Sequence, residues 1–201
     1  MTPVEWTSLN NSYVTYQYYY VDINPTTGNS LVVGGAQDNG TTSISTGMTA
    51  KSIGGGDGVA VGCISGTDTD NQNVLYGSQN GDISRSVFTA GVEDYFDIKP
   101  AGSTSLFVTY FHLDQDNTNY LYYASEGNLY RTRIASTIED GTVTNNSATG
   151  WQNLTGVGTA TTGIFNPCQL HEMVLLQEVL ILLPIPIENY LSARAMAKCF
   201  A

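Results

Sequence analysis

Positive charge is scarce in this chain. Seven Lys and Arg stand against eighteen Asp and Glu, a formal charge of −11 over 201 residues. Such a surface repels a phosphate backbone or an anionic bilayer, which excludes nucleic acid as a partner. Charge of either sign is sparse, at 12% of residues, so solubility rests on Gly, Asn, Thr and Ser and on acidic turns. Disorder does not follow, because thirteen Tyr and many Val and Ile can supply a core. Cysteine is nearly lacking. Cys168 and Cys199 lie near the C-terminus, and Cys63 alone remains in the main region, where it reads as a small buried residue rather than half a disulfide. The opening MTPVEWTSLNN has no basic segment followed by an apolar one, so it is not a signal peptide. The expectation is a start further upstream, in a secreted parent protein of which this chain is a fragment. No phosphate loop, zinc spacing or nucleophile elbow occurs, and His112 and His171 lack companions for a metal site or a triad. No cofactor is implied.

Long apolar runs are lacking too. Val179–Ile187 is uninterrupted in its apolarity, but it holds two prolines and is about half the length a bilayer span requires. No membrane span is expected. The run belongs to residues 165–201, which contain no Gly, Asp or Thr, although the preceding Gly usage predicts roughly five glycines there. Codons available to Glu188–Ala201, read two bases later, can spell KLFIGTSNGKVFR, another copy of a motif found upstream. The tail at 165–201 is therefore read as a frameshift product that does not complete a further sheet. A partner helix from His171 to Leu183 is the alternative.

What is present is a repeat. NSLVVGGAQDNGTTSIS from Asn29, QNVLYGSQNGDISRSV from Gln72 and TNYLYYASEGNLYRTR from Thr118 align on Leu31, Leu75 and Leu121, at spacings of 44 and 46 residues. Each copy reads as an acidic turn, an apolar strand, a tight turn carrying Asn-Gly or Glu-Gly, and a second strand. Alternation and β-branched or aromatic enrichment predict first strands at Gln17–Ile23, Val59–Ile64 and Leu106–Leu113, and outermost strands beginning at Trp6, Tyr95 and Trp151. Four strands per period of about forty-five residues point to the blades of a β-propeller; a parallel β-helix has shorter rungs and lacks paired hairpins. The predicted fold is all-β: residues 1–164 form a partial β-propeller of about three to four four-stranded blades, with repeat segments near 29–45, 72–87 and 118–133.

The runs QYYYVDINPTTGNSLVVGGAQDNGTT, GGGDGVAV and NVLYGSQNGDISRS resemble the sialidase-type, or Asp-box, repeat propellers of secreted bacterial proteins. That group is similar in architecture to sortilin-type ectodomains and xyloglucan-cleaving endoglucanases. The resemblance spans roughly Trp6 to Val157, without a complete Ser-x-Asp-x-Gly-x-Thr-Trp box. It implies an extracellular or cell-surface location, recognition of glycans or surface proteins, and further blades of the same propeller as partners. Its alternative implication is a part of a glycoside hydrolase.

Two clusters are candidates for that role. Gln37-Asp38-Asn39-Gly40 reads first as a type I′ hairpin turn, since Asn-Gly accepts positive φ, and second as ligand-binding residues Gln37, Asp38 and Asn39 on a propeller face. Gly54-Gly55-Gly56-Asp57-Gly58 lies where the chain leaves an outer strand for the next sheet. Glycines there let backbone approach a ligand, and Asp57 is both a ligand-binding and a catalytic candidate. In the endoglucanases the chain resembles, a Gly-Asp loop carries a catalytic carboxylate. Glycoside hydrolysis needs a second carboxylate, and the sequence names none. Asp68, Asp70, Asn71 and Asn73, like Asp114, Asp116, Asn117 and Asn119, resemble calcium loops but lack the EF-hand Gly and Glu, and read as acidic turns. Tyr18–Tyr20, Tyr110, Tyr122 and Tyr123 could stack on sugars, although alternating Tyr in strands reads more readily as packing.

Overall fold

A computed structural model describes residues 7, 16–45, 49–66, 71–104, 107–125, 128–138 and 150–154. The strand expected at Trp6, Asp68 and Asp70, His171 and the whole 165–201 stretch lie outside them. The described residues are all-β, without a helix, and fold into three four-stranded antiparallel sheets. The first holds β1 (Tyr18–Ile23), β2 (Val32–Ala36), β3 (Gly40–Ile44) and β4 (Ala50–Gly54). The second holds β5 (Val61–Cys63), β6 (Asn71–Gly77), β7 (Ile83–Thr89) and β8 (Val92–Asp97). The third holds β9 (Phe111–Leu113), β10 (Leu121–Ser125), β11 (Asn128–Thr132) and β12 (Trp151–Asn153). Each sheet is a meander whose strands lie in chain order. None of them closes on itself.

The three repeat segments occupy the second and third strands of successive sheets. The ladders refine their alignment. Ile23, Cys63 and Leu113 pair with Val32, Val74 and Leu121, so the equivalent positions fall one residue from Leu31 and from Leu75. Matching leucines by eye follows side-chain type, whereas the connection between first and second strands sets the register. On the third strands, Ser43, Arg85 and Arg131 are equivalent, paired with Val33, Leu75 and Tyr122. The expected first strand at 106–113 is shorter than predicted, because Val108 leaves the ladder of its own sheet to bridge Gln79 in the preceding one.

Strand alternation gives the second sheet two buried faces. Val61, Cys63, Val74 and Tyr76 pack with Leu31, Val33 and Ile53 of the first sheet. Leu75 and Ile83 point the other way, into a cluster with Phe111, Leu113, Leu121, Tyr123 and Tyr130 of the third. Cys63 is buried, as its isolation in the sequence suggested. The sheets are thus stacked, each covering the next one's first strand. Tyr122 and Tyr123 are buried packing residues, but Tyr18, Tyr19 and Tyr20 depart from that reading and are exposed. They sit on β1, the first strand of the first sheet, where no described sheet precedes them.

Candidate functional site

The local backbone explains why the two Gly-rich clusters meet. The β2–β3 connection has Gln37, Asp38 and Asn39 between the paired residues Ala36 and Gly40. Positive φ falls on Asp38 (59°) and Gly40 (68°), not on Asn39 and Gly40 together. This corrects the type I′ expectation. Asp tolerates the left-handed region better than most residues, and here its amide is drawn to a carboxylate from another loop. The type I′ pattern occurs instead in the second sheet, at Asn80 (61°) and Gly81 (78°), closed by the Asp82 N–H donating to the Gln79 carbonyl at 3.4 Å.

Asp57 lies between β4 and β5, on the segment that carries the chain from the first sheet to the second. Its Oδ1 accepts the backbone N–H of Asp38 at 2.7 Å. Its own N–H donates to Gln79 Oε1 at 2.5 Å. The next residue, Gly58, donates to the Ala36 carbonyl at 3.0 Å. A Cβ on Gly58 would strike the Gly40 carbonyl and lie 2.9 Å from the Ala36 nitrogen, so only glycine fits this crossing. Around it, the Tyr19 hydroxyl donates to Gln37 Oε1 at 2.8 Å, and Asn39 Nδ2 donates to the Gln37 carbonyl at 2.9 Å. Gln37, Asp38 and Asn39 are exposed and Asp57 is half-buried.

The structure therefore brings Gln37, Asp38, Asn39 and Asp57 together at one end of the first and second sheets. It joins to them Tyr19, expected as a sugar-stacking or packing residue and here a hydrogen-bond donor, and Gln79, which the sequence did not single out. The signal for Gln79 was available: Gln37 and Gln79 each stand just before an Asn-Gly hairpin tip in their own repeat. The end is acidic, with Asp82 beside it, and Lys99 Nζ lies 3.4 Å from the Asp82 carboxylate while donating to the Asn80 carbonyl at 3.0 Å. Chemically this is a rim of amide, carboxylate and phenol groups on backbone held from two sheets. Asp57 spends one carboxylate oxygen on the Asp38 amide, which makes it first a brace between loops.

The acidic loop at Asp114 is a turn, whereas Asn71 and Asn73 lie in β6. Asp114 Oδ1 accepts the backbone N–H groups of Asp116 and Asn117 at 2.9 and 3.0 Å, and Asn117 Oδ1 accepts that of Asn119 at 3.2 Å. Asn73 Nδ2 reaches the Ser136 carbonyl at 2.9 Å. A further carboxylate, unmarked in the sequence, sits between the first strands of two sheets: Asp22 Oδ2 accepts the Cys63 N–H at 2.8 Å and Oδ1 accepts the Ile23 N–H at 2.9 Å. Burial raises the Asp22 carboxyl above the usual range, with the two backbone donors pulling the other way. Burial and the Asp22 charge raise the Cys63 thiol, which leaves it unreactive at neutral pH. Burial likewise pushes the Tyr76 phenol to about 12, although its hydrogen bond with Ser86 Oγ opposes the shift.

Among the described residues, no helix is long and apolar enough to cross a membrane. No protein-family model matches the chain, and no curated protein does.

Proposed function

We propose that the three sheets are consecutive blades of a secreted β-propeller, and that the end bearing Gln37, Asp38, Asn39 and Asp57 recognises glycans or surface proteins outside the cell. Three meanders with the same strand order, each laid against the next, support the blade reading. The recognition reading rests on one observation: residues nineteen positions apart in the chain converge through the Asp57–Asp38 hydrogen bond into an exposed amide and carboxylate rim. Planar amides and carboxylates with fixed backbone are suited to vicinal hydroxyls and to peptide groups alike. The further blades of the propeller are the other partners of this reading.

The test is a glycan array followed by titration of any hit. A double variant, Gln37→Ala with Asn39→Ala, should lose binding while its melting temperature stays within a degree or two of the parent, because both side chains are exposed. Equal binding by parent and variant would remove the recognition reading from this end of the molecule. Asp57→Asn keeps an acceptor for the Asp38 amide; selective loss of sugar-releasing activity in that variant would instead favour a hydrolase.

A further inference from the structure

The contact between the second and third sheets is filled by a segment that has no counterpart between the first and second among the described residues. β11 and β12 are joined by a long connection, and its first residues, Ile134–Ile138, fold back over the second sheet. Ala135 and Ile138 enter the core there. The Ser136 carbonyl accepts Arg85 Nη1 at 3.0 Å and Asn73 Nδ2 at 2.9 Å, and the Ile138 carbonyl accepts Arg85 Nη2 at 2.9 Å. In the second sheet the corresponding connection, between β7 and β8, is only Ala90 and Gly91, both at positive φ. Nothing so short can fold back over the first sheet.

What remains in that place is an open cleft of about 330 Å³, lined by Leu31, Ser43, Lys51, Gln72, Phe88 and Gly91 among others. The correspondence with the filled contact is residue by residue. Ser43 holds the ladder position of Arg85. Leu31 holds that of Asn73, since the Leu31 and Asn73 carbonyls accept the same inter-strand bond, from Asn24 and from Ile64. The two side chains that grip Ser136 in one contact thus have nearly buried equivalents that line the cleft wall in the other. The cation has moved one strand outward: Lys51 Nζ lies 4.6 Å from the centre of the Phe88 ring and 3.2 Å from Glu93 Oε2.

We propose that this cleft binds a short extended peptide from another molecule, in the place that Ile134–Ile138 occupies in the neighbouring contact. Its main-chain carbonyls would take protons that Lys51 does not give to Glu93, and a small aliphatic side chain would pack between Leu31 and Phe88. A peptide is favoured because the equivalent space is filled by peptide in this same chain, with carbonyls toward a cation and aliphatic groups toward the core. The inference does not depend on the hairpin rim, which lies on the other side of the sheets' strand ends.

The probe is acetyl-Ile-Ala-Ser-Thr-Ile-amide, the sequence that fills the other contact, titrated into the isotope-labelled full chain and followed by NMR. Saturable shifts should centre on Leu31, Ser43, Phe88 and Gly91, with a dissociation constant in the micromolar to millimolar range. Ser43→Arg, which supplies at the equivalent position the guanidinium that grips these carbonyls in the filled contact, should tighten binding several-fold. Lys51→Met, at a half-exposed side chain whose loss the fold will tolerate, should weaken binding several-fold. The proposal is overturned by shifts that do not saturate at millimolar peptide, or by shifts unchanged in Lys51→Met. A neutral oligosaccharide such as cellotetraose binding the same residues where the peptide does not would also overturn it, and would leave a sugar site in its place.

Discussion

Between the second and third sheets Arg85 lies over the Phe96 ring, 4.0 Å from its centre, and gives its terminal nitrogens to two main-chain carbonyls. Between the first and second sheets the same ladder position is Ser43, and the cation is Lys51 at the rim, paired with Glu93. One contact is closed by a buried guanidinium and the other is held at its edge by a half-exposed ammonium. A guanidinium suits the first because it is planar, stacks on a ring and spreads several donors in fixed directions. The difference shows that repetition of strand order does not repeat the contacts. Connection length decides which contact is sealed.

The comparison would break most visibly in the core. Leu75→Ala removes a fully buried side chain directed at the third sheet, and should cost about 3–4 kcal/mol by denaturant unfolding. Next comes the sealed contact itself. Arg85→Met leaves the Ile138 carbonyl without its side-chain donor and the Ser136 carbonyl with Asn73 alone, partly offset by the desolvation of a cation that no longer occurs. A net loss of about 2 kcal/mol is expected. Ser43→Ala at the equivalent position should cost under ~1 kcal/mol. Equal losses at the two positions would mean that the contacts are energetically alike despite their different residues.

A smaller effect concerns the Asp22 carboxyl, which joins the first strands of the first two sheets. Its carboxyl is raised in the folded protein, so the folded state holds the proton to a higher pH than the unfolded state does. Stability from this group should therefore fall as pH rises from the unfolded carboxylate value through the folded one, and stay level above it. Asp22→Asn should flatten that part of a melting-temperature profile between mildly acidic and neutral pH. An unchanged slope would place the pH dependence elsewhere.

The smallest expected change sharpens the contrast between sheets. Val21 and Ile23 on β1 are 49% and 60% exposed, whereas their ladder equivalents are Val61 and Cys63, at 3% and 1%, and Phe111 and Leu113, at 7% and 4%. Ile23→Ser should therefore change unfolding free energy by no more than about 0.5 kcal/mol. It should also reduce any concentration-dependent association seen by size exclusion, because an open apolar sheet face favours self-association. A loss as large as that of Leu75→Ala would show that the β1 face is covered in solution.

Much of this arrangement could be read in the chain beforehand, for reasons that differ by element. The second and third strands of each sheet were legible because alternating apolar residues flank Gly-containing turns. Tyr95 and Trp151 marked fourth strands as aromatic residues in short segments that follow the repeats. β4, Ala50–Gly54, carries no such mark and was found only through its pairing with β3. Asp57 was noticed for its glycines, but its partner Asp38 is nineteen residues away and bound through a backbone amide, which no side-chain pattern records.

Alternation with period two and the turn residues therefore determined that the chain forms antiparallel hairpins, because each of those preferences acts within a few residues. The ladder register, the convergence of Asp57, Asp38 and Gln79, and the sealing of one inter-sheet contact but not the other were decided only in the tertiary structure. Those outcomes depend on where a connection lands on a neighbouring sheet. Arg85 and Lys51 are both cations in strands, and nothing local distinguishes the one that meets buried carbonyls from the one left at an open cleft.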